Sequence, residues 1–463
     1  MHSEYDFSAR EKYVVLLACC IAAFLAPLIT TMINLAVPTI AEEFGVSAHD
    51  QGWLVMAYFL SSVAFLVPMS RLSDLYGKRK IFLYGIVVVI ISSLLSGLSP
   101  SFLALLICRL VTGMGTACIS STSISMIAQV YPKAHRGLPL ALNTMCIYIG
   151  ASVGPALGGF ITQMFGWEWI FISLVPFSVA GLITMLSFKK DFRTSEGEPF
   201  DVKGSLLYGI GIVAFMYGIL NVPDVYATLF IAAGIVILIA FFNFETKEEY
   251  PVLDMRLFKG RTFRRSSVAA FLNYGSSYAI VFTLSLYLQS IGGMNPAAAG
   301  LVILLQPSLQ AVITPFAGKL SDKIDPRFLT TMGMVMMCLG TLTMTTLTKN
   351  VEMFRIYAIL LMTGAGYALF STPNTNMIMS NVNEKGYSEA SGVISVMRQV
   401  GMMSSVAVIM CMISFTMGTS ENIVPAMYDS FINAIRYAFF ICFGFAAIGT
   451  FMTWFSKDAG TNA

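Results

Sequence analysis

Long apolar runs alternate with short polar interruptions along the whole chain. Fourteen runs can be drawn, at about 13–35, 51–70, 80–98, 101–124, 138–163, 167–188, 204–221, 226–244, 266–288, 298–318, 328–347, 354–376, 389–414 and 431–455. Each holds roughly 17–25 residues, the length a helix needs to cross about 30 Å of hydrocarbon. None alternates with the period of two of a barrel strand. The pattern predicts an all-α polytopic membrane protein of fourteen transmembrane helices. The first run is long and lacks a small-residue cleavage site, so it reads as a retained helix.

The two longest interruptions, 189–203 and 245–265, enclose two helices and leave six on either side, a 6+2+6 plan. The halves echo each other. Leu-Ser-Asp at 72–74 recurs at 320–322, Arg79 corresponds to Arg327, and Gly77 to Asp325. A repeat across half an apolar chain points to two related bundles, a construction common in secondary transporters. The expected segments are a six-helix bundle over 1–190, two linker helices over 191–263 and a second bundle over 264–463.

Composition sharpens this picture. The 463 residues are 56% hydrophobic and 11% charged, too little polar surface for a soluble protein of this size. With the N-terminus placed inside, only Lys349 and Arg355 face outward and Arg109, Arg398 and Arg436 lie within spans; the other 23 of 28 Lys and Arg are cytoplasmic. Both termini are therefore expected in the cytoplasm of a cell-membrane protein. No loop is long enough for a soluble domain and no phosphate-binding Gly-rich loop appears, so the chain does not hydrolyse ATP itself. The eight cysteines fall within spans without metal-ligand spacing and read as packing residues. The three histidines, His2, His49 and His135, lie outside the spans, and no embedded carboxylate cluster exists. An intramembrane enzyme needs converging acids, bases or metal ligands, so catalysis is not expected. Neither a metal, a cofactor nor a nucleic-acid partner is expected, and the chain reads as a monomer.

The basic stretch Ser70–Leu83 is predicted as a short turn between two spans. Gly77 permits a tight turn, and Asp74 can bond backbone N–H groups at a helix start or pair with an Arg. Asp74, Gly77, Arg79, Asp322 and Arg327 are the candidate conformational latch. The order Leu-Ser-Asp-x-x-Gly-x-Arg-Lys resembles the loop signature of the major facilitator superfamily, with Ser70 where that family usually has Gly. Thr31-Met-Ile-Asn-Leu-Ala-Val-Pro38 and Gln51-Gly-Trp-Leu-Val-Met-Ala-Tyr58 resemble the first two helices of its fourteen-helix drug–proton antiporter branch. Arg109-Leu-Val-Thr-Gly-Met-Gly115 is similar to its fourth-helix motif, and Pro251-Val-Leu-Asp-Met-Arg-Leu-Phe258 to the entry of its second bundle. The resemblance covers nearly the whole chain.

That resemblance gives further residues an expected role. Gly150, Gly154, Pro155, Gly158 and Gly159 are similar to the superfamily's antiporter motif, which marks exporters; their small size also suits close helix packing. Arg109, about 12 Å deep at 1.5 Å per residue, is expected as a cavity charge that couples ion and substrate movement, with Arg398 as a second intramembrane charge. The antiporter branch usually has an acid two positions before Thr31; here that residue is Ile29. No Asp or Glu falls in mid-membrane by this reading, which weakens proton coupling and any preference for cationic drugs. Asn34, Tyr58, Asn143, Tyr148, Asn273, Tyr278, Gln306, Gln310 and Asn374 are candidate cavity residues, each as fit to join helices by hydrogen bonds. The expected function is export of a small amphipathic substrate by alternating access, with protons as the candidate coupling ion. The alternative is a lipid or solute carrier of the same fold without proton antiport.

Overall fold

The computed structural model describes residues 7–46, 48–222, 225–417 and 425–456. Those residues form sixteen α-helices joined by turns and short 3₁₀ segments, with no strand among them. Fourteen helices are long and apolar enough to span a membrane. They fall into two compact units.

The first unit comprises Met1–Val213, Leu238–Met255 and Val382–Ser395. Helix α1 (Ala9–Thr31) opens with a capping box, in which the Glu11 amide donates to Ser8 Oγ and the Ser8 amide to Glu11 Oε2. Pro27 removes an amide from α1. The hydroxyls of Thr30 and Thr31 both donate to the Pro27 carbonyl at 2.8 Å, close to the end of the helix. After a break at Met32 the chain continues as α2 (Ile33–Phe44), which Gly45 ends at φ +62. Then follow α3 (Ala48–Tyr76), α4 (Lys78–Gly97), α5 (Phe102–Val130), α6 (Gly137–Phe165) and α7 (Glu168–Leu186). Within the unit, α5 packs on α1, α3 and α4, while α1 packs on α6 and α7. The 70–83 stretch is a correction to the expected loop. α3 runs on through Asp74 to Tyr76 and α4 starts at Lys78, leaving Gly77 alone outside the helices. A helix satisfies its own backbone groups, so nothing stops it at the edge of the hydrocarbon.

The two linker helices are α8 (Val202–Leu220) and α9 (Val225–Glu245). Their Asp201 and Glu245 ends belong to the first unit and their other ends to the second. The Tyr208 hydroxyl fixes α8 to α3 by donating to the Val63 carbonyl at 2.9 Å.

The second unit comprises Ala214–Ile237, Arg256–Asn381 and Val396–Ala463. Its helices are α10 (Arg261–Ser290), α11 (Pro296–Ile303), α12 (Leu305–Ser321), α13 (Pro326–Met344), α14 (Met353–Ser380), most of α15 (Tyr387–Met417) and α16 (Tyr428–Trp454). α11 and α12 together make one span, broken at Leu304. Helix α10 is the hub, packing on α13, α14 and α16. Of its apolar stretch 72% is buried, against 17% for α9, which presents mostly apolar surface outward.

Candidate functional site

The α3–α4 junction is built around one buried carboxylate. Gly77 takes φ +111, a backbone conformation closed to residues with a Cβ, and a Cβ there would also lie 2.3 Å from the Asp191 carboxylate. The sharp turn places Asp74 and Lys78 side by side, neither exposed to solvent. Lys78 Nζ stands 3.6 Å from Asp74 Oδ1 and donates to Gln129 Oε1 on α5 at 2.8 Å. A buried ion pair is tolerated when its remaining sites are hydrogen-bonded.

Two further segments bond Asp74 at Oδ1 and at its backbone carbonyl, while Oδ2 accepts nothing among the described residues. The strap after α7 lies along the junction: Thr194 Oγ1 donates to Asp74 Oδ1 at 2.6 Å, and the Thr194 and Ser195 amides donate to the Asp74 carbonyl. Further along it, the Lys78 amide donates to the Phe192 carbonyl and the Arg79 amide to Asp191 Oδ1, both at 3.1 Å. Arg71 donates to Ser195 Oγ at 3.1 Å and pairs with Glu198 at 2.7 Å. Burial pushes the Asp191 carboxyl above the ordinary range, against the pull of the Phe192 and Arg79 amides and of the Lys80 and Arg79 charges.

The second segment is the start of α15, whose residues up to Ser395 belong to this unit. Ser388 Oγ donates to Asp74 Oδ1 at 2.7 Å, which sets the carboxylate at a helix N-terminus, where the macrodipole favours negative charge. Arg136, also fully buried, donates to the Tyr387 hydroxyl at 3.3 Å with its guanidinium 5.8 Å from that ring. The Asp254 amide donates to Glu389 Oε2 at 3.0 Å. A Cβ on Gly392 would come 3.1 Å from Ser70 Cβ, a close approach of α15 to α3.

The repeat of this junction is built differently. Asp325, in the place of Gly77, caps α13 by accepting the Arg327 amide at 2.9 Å and pairs with the Arg327 guanidinium at 2.5 Å on a half-exposed surface. Asp322 accepts from Asn376 Nδ2 at 3.4 Å.

Arg109 lies on α5 with none of its surface exposed. Its Nε donates to the Leu54 carbonyl on α3 at 3.0 Å, and its guanidinium stands 4.8 Å from the Tyr58 ring centre. Both terminal nitrogens are without a hydrogen-bond acceptor among the described residues. Arg398, in the second unit, is half-buried and has no ion pair among the described residues.

The α6 glycines meet the second half of α1. A Cβ would stand 2.3 Å from the Phe24 carbonyl at Gly150, 1.8 Å from Thr31 Oγ1 at Gly154 and 2.4 Å from the Met32 carbonyl at Gly158. These positions let α6 pack against backbone at Pro27 and the α1–α2 break. Pro155 lies inside α6 between them, and Gly159 is half-buried.

Several polar candidates are occupied within their own units. Asn143 Nδ2 donates to the Cys19 carbonyl at 2.9 Å, Gln306 Nε2 to Thr363 Oγ1 at 3.0 Å, and Asn374 Nδ2 to the Ser266 carbonyl at 3.1 Å. Asn273 Nδ2 faces Met334 Sδ at 3.1 Å. Tyr58, Tyr148 and Gln310 are buried, whereas Tyr278 is 42% exposed. The side chain of Asn34 lies outside the described residues. Ile29 is buried in the apolar core of the first unit. Every Asp and Glu in the described helices lies in a first or last turn.

Sequence reasoning missed Thr194, Lys78 and Arg136 as parts of the junction, and for Asp74 it offered the start of the 389–414 helix without naming Ser388. Ser388 directly precedes the predicted 389–414 span and falls in the first turn of α15, but nothing in sequence announces the strap's backbone contacts.

The Major Facilitator Superfamily sequence profile matches residues 19–403 and 266–463. Similar proteins include the riboflavin transporter RibZ of Clostridioides difficile, 27% identical over 82% of this chain and 83% of its own. The multidrug resistance protein Stp of Mycobacterium tuberculosis is 27% identical over 85% of this chain and 74% of its own. The tetracenomycin C resistance and export protein of Streptomyces glaucescens is 24% identical over 84% and 74%. Among solved structures, the human organic anion transporter MFSD10 superposes with a TM-score of 0.70 at 15% identity, covering 96% of this chain and 99% of its own. The proton:xylose symporter XylE gives 0.69 at 15% identity over 97% of both. At that identity the likeness is one of fold.

Proposed function

The chain belongs to the Major Facilitator Superfamily, and we propose that it is a secondary active exporter of amphipathic drugs or metabolites, of the fourteen-helix drug–proton antiporter branch. It works by alternating access in the cell membrane, as a monomer with both termini cytoplasmic. The observation that carries this reading is the buried Asp74 carboxylate, shared between the strap at Thr194 and the start of α15 at Ser388. A bond from a neutral donor to a buried carboxylate contributes about 1.5–3 kcal/mol, enough to favour one conformation yet small enough to break within a transport cycle. In this reading Asp74 is the latch that closes the α3–α4 turn on α15, and the cycle opens it. Relatives named for multidrug resistance and for tetracenomycin C export support a drug-like substrate.

A second reading, a solute or lipid carrier without proton antiport, draws on the riboflavin transporter among the relatives. Ile29 in the apolar core and carboxylates confined to terminal turns of the described helices favour it over coupling through mid-membrane acids. Uptake of an amphipathic dye into inverted vesicles, with and without an imposed pH gradient, tests both. Gradient-driven uptake is expected for the exporter, and it should fall in Asp74→Asn. Uptake that ignores the gradient selects the carrier, and no uptake of drugs, dyes, lipids or flavins rejects both readings.

A further inference from the structure

Two carboxyl groups outside the latch face each other where α8 and α9 meet the segment that follows α9. Asp201 precedes α8, and its Oδ1 accepts the Gly204 amide at 2.9 Å. Glu245 is the last residue of α9 and only 2% exposed; its Oε2 accepts the Leu253 amide at 3.1 Å. Each group thus has one oxygen fixed by backbone. The other two, Asp201 Oδ2 and Glu245 Oε1, are buried and receive no donor among the described residues. They approach each other over Gly204. The point where a Gly204 Cβ would stand lies 2.0 Å from Glu245 Oε1 and 2.2 Å from Asp201 Oδ2, so the missing side chain makes room for the pair. Among the described residues neither acid forms an ion pair with a Lys or Arg.

Ionised carboxylates only accept hydrogen bonds. Two facing each other at a buried site repel strongly unless a proton lies between them. Among the described residues no third His, Cys, Asp or Glu joins the two acids to complete a metal cage.

We propose that Asp201 and Glu245 share one exchangeable proton, and that this proton sets how firmly residues 252–254 hold the start of α15. The path is continuous within the first unit. Glu245 holds the Leu253 amide, the next amide, of Asp254, is held by Glu389, and Glu389 follows Ser388, which bonds Asp74. The groups facing Glu245 are Asp201 and the Val252 and Leu253 amides. Those facing Glu389 are Asp254, Asp74 and Arg71. Those facing Asp74 are Lys78, Arg71 and the Thr194 and Ser388 hydroxyls. Asp201 is half-buried and gives the proton a route to solvent. When it leaves, the two carboxylates repel, Glu245 moves off Gly204, and the Leu253 amide moves with it.

The effect on α15 rests on the latch reading above; the proton site does not. Infrared difference spectra of the purified full chain between acidic and neutral buffer are expected to show a protonated-carboxyl band that disappears as pH rises. Glu245→Gln and Asp201→Asn should each remove that component, the new amide donating to the remaining carboxylate. Two independent substitutions keep the test usable if one variant fails to fold. A band unchanged in either folded variant overturns the proposal, as does a band abolished by added sodium at constant acidic pH, which would make the pair a cation site. In inverted vesicles, Glu245→Gln should keep the parent's transport rate at low pH and lose its decline as pH rises. Absent transport in the parent would reject the exporter reading while leaving the infrared result standing.

Discussion

Ser388 donates its hydroxyl to Asp74 at 2.7 Å, joining residues 314 positions apart. The bond converges with that of Thr194 on a single carboxylate oxygen, Oδ1. The second oxygen is buried and accepts nothing among the described residues. A carboxylate held this unevenly is fixed by donors that can be removed one at a time.

Asp74→Asn keeps the shape and an acceptor oxygen but removes the charge. Transport should fall by roughly tenfold or more, the effect of losing about 1.5–3 kcal/mol of charge-assisted bonding, while the yield of folded protein changes little. Ser388→Ala and Thr194→Ala should each give a smaller loss in the same direction. Initial rates in inverted vesicles measure all three, and unchanged rates in Asp74→Asn would reject the latch.

Gly158→Ala should sharply reduce folded protein, because its Cβ would stand 2.4 Å from the Met32 carbonyl, a backbone atom that cannot rotate away. Gly209→Ala on α8 meets nothing within 4 Å and should be tolerated. Size-exclusion profiles of the detergent-extracted variants separate the two; equal recovery would contradict the close α1–α6 approach.

Asp191 lies in the strap, outside the spans, and burial raises its pKa. A carboxyl raised on folding adds stability while protonated, and this is lost as pH climbs through its folded value. Asp191→Asn keeps the acceptor for the Arg79 amide and cannot ionise. Its thermal midpoint should exceed the parent's near neutral pH, and the gap should close toward about pH 4, the ordinary carboxyl range. A gap that widens on acidification would show the carboxylate to be the favoured form.

Arg109 is one of the fully buried cations of the first unit. Its terminal nitrogens lack acceptors among the described residues and it is fully buried, where low dielectric strengthens a charge. Anionic, zwitterionic and neutral amphiphiles should be exported in preference to dications, and the preference should weaken in Arg109→Ala. Strong export of a bisguanidine, undiminished in Arg109→Ala, would overturn this account.

Single-cysteine accessibility in intact cells should place both termini and the Lys78–Lys80 turn in the cytoplasm, with Lys349 outside. Labelling of either terminus from outside would reverse the orientation.

The fourteen spans were legible because about 20 apolar residues in a row have few other solutions. The α3–α4 junction was legible in part, because Gly77 marks a turn and Asp74 an acid beside it, but not the helices that run up to Gly77 from both sides. The strap was not, because Thr194, Ser195 and Phe192 act largely through amides and carbonyls that every residue carries. Nor was the fate of the polar candidates. Asn143 and Asn374 point at neighbouring carbonyls rather than at open space, and a polar residue's facing is set by tertiary packing, not by its own helix.

Helix α10 has a consequence for how the protein is made. It is at once the most buried of the fourteen spans and among the least apolar, with Ser266, Ser267, Asn273, Ser276, Ser277 and Thr283 turned inward. Such a segment gains little by leaving the insertion channel for lipid on its own. Its partners, Met334 on α13, Asn374 on α14 and Ser405 on α15, are all synthesised after it. Membrane integration of α10 is thus tied to the translation of the chain that follows, and a ribosome halted before α14 should leave α10 extractable while α9 is already anchored in the bilayer.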